Sequence, residues 1–168
     1  MAHHLEQYVT KIHVDNYQDC MNVYGGLDDE SLGDQFTNMT GTFNTLEENT
    51  AFWLPHLQTL FGDCDIEFGI NLRFDNGCEL QPYINTENGW DIDDTITIYT
   101  ATLFVKFNPN QHKPTYFCDT SLKTNEYKPI EVIEGDCLIA PSNIYRREPK
   151  NFGQECKIIA SCVFRPIV

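Results

Sequence analysis

Between Leu80 and Asn85 the chain alternates, with Leu80, Pro82 and Ile84 in one row and Gln81, Tyr83 and Asn85 in the other. In a strand the two rows face opposite sides, so this stretch predicts a half-buried strand with Tyr83 and Asn85 on one face. From residue 65 onward similar runs follow one another: DIEFGINLRF, CELQPYI, TITIYTATLFVKF, PTYFCD, KPIEVI, GDCLIAP and CKIIASCVF. They are rich in Ile, Val, Thr, Tyr and Phe and are divided by Gly, Asn, Asp and Pro, the residues that punctuate strands. Such a succession leaves no room for crossover helices. It excludes a parallel α/β sheet and predicts a compact antiparallel sandwich or barrel.

The pattern before residue 65 is different. In LEENTAFWLPHLQTLFG, residues 46–62, Phe52, Leu57 and Leu60 fall near one helical face, Glu47 and Glu48 lie at the start and Gly62 supplies a stop. Pro55 predicts a start or kink nearby. A shorter helix is expected over NYQDCMNVY, residues 16–24, and the stretch GGLDDESLGDQFTNMTGTFN reads as an acidic loop. The fold class is therefore mainly β with N-terminal helices.

At 168 residues the chain is expected to form a single domain over 1–168, with a helical, acidic part at 1–64 and a β core at 65–168. No apolar run approaches the ~20 residues needed to cross a bilayer. MAHHLEQYVTK has neither a basic start nor an apolar centre, so no secretory signal is expected. The seven cysteines are scattered and form no CxxC pair, a pattern that fits reduced thiols in the cytoplasm better than a disulfide framework or a zinc site. The sequon at Asn38 is then accidental.

Charge sharpens the picture. The net charge of −14 comes from 25 acidic and 11 basic side chains, and residues 1–100 hold 18 of the acids and only 2 of the bases. A surface of this sign repels phosphate, so direct nucleic-acid binding and anionic membranes are not expected. It leaves open a basic protein partner or, more simply, an acidic surface that favours solubility.

Nucleophile elbows, Walker loops and dinucleotide fingerprints are all missing from the sequence. The five histidines are dispersed, which does not support a zinc or cupin-like metal site. His13 and Asp15, in HVD, would share a face of an extended segment and could grip a metal there. Cys118, in PTYFCD, reads as a buried, inert thiol.

The order of segments resembles one family. Helices followed by GCELQPYIN, TITIYTATLFVKFNP, KPTYFCD, IEVIEGDCLIAPSNIYRREP and GQECKIIASCVF are similar to the Fe(II)/2-oxoglutarate-dependent oxygenases, particularly their small prolyl-hydroxylase-like members. The resemblance covers roughly residues 65 to 165 and implies a double-stranded β-helix, the cupin-like jelly roll. In that family an early strand supplies His-x-Asp to the iron, a later one supplies a second His, and a basic residue further on binds 2-oxoglutarate. Carried over, Tyr83 takes the first His position, Asn85 the Asp position, Arg146 or Tyr145 the second His position, and Lys157 the basic position.

A phenol and an amide do not replace imidazole and carboxylate as iron ligands, and a guanidinium repels a divalent cation. The resemblance therefore implies an oxygenase-fold protein with a degenerate metal site. It would be a non-catalytic binding protein in which Arg146, Arg147 and Lys157 hold a small carboxylate or phosphate, with no cofactor. For these residues a plain solvated loop and an outward strand position are equally open. Two further functions are carried forward. One is an active hydroxylase using Fe(II) and 2-oxoglutarate through other ligands, such as His112 or the HVD pair. The other is an acidic interaction or nucleic-acid-mimic scaffold.

Overall fold

The computed structural model describes residues 9–22, 46–66, 72–75, 80–83, 98–119, 126–142, 144, 146–149 and 157–167. Strand β1 (Thr10–His13) and the short helix α1 (Asp19–Asn22) precede helix α2 (Leu46–Phe61). Strands β2 (Cys64–Ile66), β3 (Leu72–Asp75), β4 (Leu80–Tyr83) and β5 (Tyr99–Lys106) come next, then β6 (Tyr116–Asp119) and β7 (Glu126–Pro129). The series closes with β8 (Asp136–Pro141), β9 (Arg146–Glu148) and β10 (Lys157–Pro166).

The strands form two sheets, and every described pairing is antiparallel. The larger runs β1-β8-β5-β10-β2, with β3 also on β10; the smaller runs β4-β9-β6-β7. From β3 onward the chain alternates between sheets, with β3, β5, β8 and β10 in the large one and β4, β6, β7 and β9 in the small one. That alternation is the winding of a double-stranded β-helix, so the antiparallel architecture expected from the strand pattern, and the jelly roll implied by the family resemblance, are the observed fold.

The large sheet is covered on both faces, which explains why its strands read as nearly continuous apolar runs and not as strict alternation. On its outer face Ala101, Leu103, Ile139, Ile158, Ala160 and Phe164 pack against Phe52, Trp53 and Leu57 of α2. On its inner face Phe104, Leu138, Ala140 and Ile159 meet Phe117 of the small sheet. Helix α2 ends where Gly62 takes φ +72°, with its N–H donating to the Gln58 carbonyl at 2.9 Å. Glycine adopts this left-handed C-terminal cap without steric cost.

Several expectations change. Leu60, placed on the buried face by sequence, is 47% exposed, because the stripe follows the four-residue spacing Trp53, Leu57, Phe61 and leaves Leu60 to one side. Pro55 sits inside α2, where it removes one backbone donor from the helix without marking its start. Of the early helix, Asp19–Asn22 is described, and it follows a strand; residues 23 and 24 lie outside the described residues. In KPIEVI only Lys128 and Pro129 belong to a strand, because β7 begins earlier, at Glu126. The acidic stretch 25–44 lies outside the described residues.

Among the described residues no helix is long and apolar enough to cross a membrane. Cys20, Cys64, Cys118, Cys137 and Cys162 are buried. Burial pushes the thiols of Cys20 and Cys137 well above their ordinary range and also raises that of Cys64.

Candidate functional site

The strand RRE at residues 146–148 is unusual in carrying only charged residues, and backbone pairing on both sides explains how it forms. Strand β9 lies between β4 and β6, with Tyr83 opposite Arg146 on one side and Phe117 opposite Arg146 on the other. Directly opposed residues of an antiparallel pair share a face. Phe117 belongs to the inner core, so Arg146 occupies the interior row of the small sheet.

Arg146 is 1% exposed and Lys157 is fully buried. The Arg146 guanidinium lies 5.2 Å from the centre of the Phe117 ring, and its Nη2 donates to the Pro141 carbonyl at 3.2 Å. Lys157 lies two residues before Ile159 of the inner core, on the same face of β10. Its Nζ donates to the Lys113 carbonyl at 3.0 Å. One cation from each sheet thus enters the barrel, and Thr115, fully buried, lies two positions before Phe117.

Of the residues expected to form a site, Tyr83 and Arg146 are brought together as register partners, and Lys157 lies inside the same barrel. Asn85 and Tyr145 lie outside the described residues. Arg147 is separated from the pair: it lies on the opposite face of β9, with its guanidinium 5.1 Å from the Tyr116 ring centre and 6.0 Å from that of Tyr127.

The two histidines considered for the alternative site each bond a protein group through Nδ1. The Nδ1 of buried His112 accepts from the Asn108 N–H at 2.9 Å. His112 also lines an open groove of about 640 Å³ together with Lys11, Phe107, Tyr116, Val132 and Asp136. His13 ends β1 and bonds Asp136. Among the described residues no three His, Cys, Asp or Glu side chains converge as metal ligands.

Sequence reasoning missed Thr115 and Asp136 as buried polar groups. Thr115 was readable only through its two-residue spacing from Phe117, and Asp136 gave no signal beyond its place beside Gly135.

No protein-family model matches the sequence, and no curated protein matches it either. Solved structures share the fold. The chain is similar to the non-haem alpha-ketoglutarate-dependent epimerase SnoN from nogalamycin biosynthesis, at 13% identity and a TM-score of 0.58, over 96% of this chain and 78% of that one. It is also similar to the viral collagen prolyl hydroxylase vCPH from Paramecium bursaria Chlorella virus-1, at 12% identity and a TM-score of 0.51, over 96% and 97% of the two chains. A third likeness is to the non-haem monooxygenase ThoJ, at 10% identity and a TM-score of 0.52, over 89% of this chain and 64% of that one. At these identities the likeness is one of fold, and the oxygenase resemblance read from segment order holds at that level.

The residues at this position do not fit a divalent iron. Arg146, in register with Tyr83, carries an always-charged guanidinium and offers a divalent iron neither an imidazole nor a carboxylate donor.

Proposed function

We propose that this chain is a metal-independent, non-catalytic binding protein that uses the oxygenase barrel to hold a small carboxylate or phosphate. Arg146 and Lys157 supply the positive charge, Tyr83 stands in register with Arg146, and Asn85 and Tyr145 complete the proposed ligand set. The supporting observation is the burial of Arg146 and Lys157 inside one barrel, on strands of opposite sheets. Burying charge is costly, by several kcal/mol on the order-of-magnitude scale for such groups. A bound anion is attracted by both charges, and the planar guanidinium matches a carboxylate or phosphate through paired N–H donors.

The test is calorimetric titration with 2-oxoglutarate and with inorganic phosphate, each with and without Mn(II). The expected result is binding of at least one anion that Mn(II) does not alter, weakened at least tenfold in Arg146→Met and Lys157→Met. Metal-dependent binding would overturn the reading, as would binding that both variants retain.

A further inference from the structure

A second cluster of ionisable side chains stands at the end of the large sheet, where the N-terminal segment meets the turn before β8. Pairing of β1 with β8 sets His13 opposite Asp136. His13 Nδ1 lies 2.9 Å from Asp136 Oδ1, and the other carboxylate oxygen accepts from the Ile133 N–H at 3.0 Å. An ionised carboxylate can only accept, so the proton of this pair is on Nδ1, and a neutral imidazole then keeps its lone pair on Nε2. The ring is also held by packing. A Cβ on Gly135, which takes φ +91°, would fall 2.7 Å from His13 Cε1, so the imidazole lies directly on the glycine backbone.

His13 Nε2 faces Asp15, whose Oδ1 is 3.8 Å away. The His13 side chain is 44% exposed, that of Asp15 fully exposed and that of Asp136 11% exposed. At 3.8 Å the two atoms are too far apart for a hydrogen bond. They are close to the span of two ligands on one ion, roughly 3.4 Å for bonds of about 2.1 Å at a tetrahedral angle. The turn carrying Asp15 is tied to α2 by His56, whose Nε2 is 2.8 Å from Asn16 Oδ1. Asp15 also reaches this second imidazole electrostatically: burial lowers the pKa of His56, and the Asp15 charge opposes that shift.

From this geometry we propose that His13 Nε2 and Asp15 form a surface site for a divalent transition cation of the zinc, nickel or cobalt class, with Asp136 as the positioning residue. An imidazole whose other nitrogen donates to a buried carboxylate is the usual form of a metal-binding histidine. One nitrogen and one oxygen donor suit these borderline ions and do not suit Mg(II) or Ca(II), which take oxygen throughout. Water completes the coordination, and the affinity is correspondingly modest.

The site is tested in the full chain carrying His3→Ala and His4→Ala, so that the histidines near residue 1 cannot contribute. Calorimetry with Zn(II) chloride is expected to show one equivalent bound. His13→Ala and the fully exposed Asp15→Asn should each lose at least tenfold in affinity, and Asp136→Asn about 10- to 100-fold. Long-range ¹H–¹⁵N spectra should show the His13 Nε2 resonance moving on zinc addition while Nδ1 stays protonated. Unchanged zinc binding in both His13→Ala and Asp15→Asn overturns the proposal, as does zinc perturbing other histidines and leaving His13 unmoved.

Discussion

The two faces of the large sheet are built from the same strands, yet they are filled differently. The outer face is closed by α2 with a cluster of aliphatic, aromatic and thiol side chains. The inner face joins an apolar cluster to the buried cations Arg146 and Lys157. A protein that needed only stability would fill both sides with apolar groups, since replacing buried ions by well-packed hydrophobic residues is often neutral or stabilising. The contrast separates an apolar outer cluster from an inner side that carries buried charge.

The largest expected effects test whether both faces are packed cores at all. Leu57→Ala on the outer side should cost about 2–5 kcal/mol, and Phe104→Ala on the inner side about 3–5 kcal/mol, by chemical denaturation. A cost well below about 1 kcal/mol for Phe104→Ala would mean the interior is loosely filled and would dissolve the comparison.

A smaller effect is expected from the cations. Arg146→Met and Lys157→Met should cost no more than about 1 kcal/mol, or should stabilise, even as they weaken anion binding. Losses matching Leu57→Ala would assign these charges to the fold and make the two faces equivalent in role.

The smallest effect is a pH dependence on the outer side. Burial lowers the pKa of His56 on α2, with Asp15 opposing it, so the unfolded chain takes up this proton more readily than the folded one. The associated stability is fully present above the ordinary value near 6.5 and is lost as pH falls through the lowered folded value. Because His56 is only partly buried, the slope is shallow; His56→Gln should flatten it in denaturation midpoints measured across that window. An identical slope in the variant would remove His56 as its source.

Much of the architecture was legible because periodicity reports burial directly. Helix α2 and its stop at Gly62 followed from a 3.6-residue stripe and one glycine, and the run of short apolar segments led to an antiparallel sandwich or barrel, which the family resemblance narrowed to the jelly roll. Strand β1 was not legible: three of the four residues in Thr10–His13 are exposed and one half-buried, so backbone pairing with β8 holds it and no apolar pattern reveals it. Strand β9 was hidden for a related reason, since RRE reads as surface until its neighbours are known. The pairing of Tyr83 with Arg146 could be anticipated only through the family resemblance. Sequence alone could not choose between a buried Lys157 and an outward one, because that depends on which side of β10 the small sheet covers.

Strand β10 has a kinetic consequence. It pairs with β2, β3 and β5, all formed from much earlier parts of the chain, so the large sheet cannot close until residues 157–166 have met partners across long loops. Contacts of such high sequence separation place a domain among the slow folders, in the millisecond-to-second range. Lys157 is the first residue of that strand, so its charge leaves water only in the closing step.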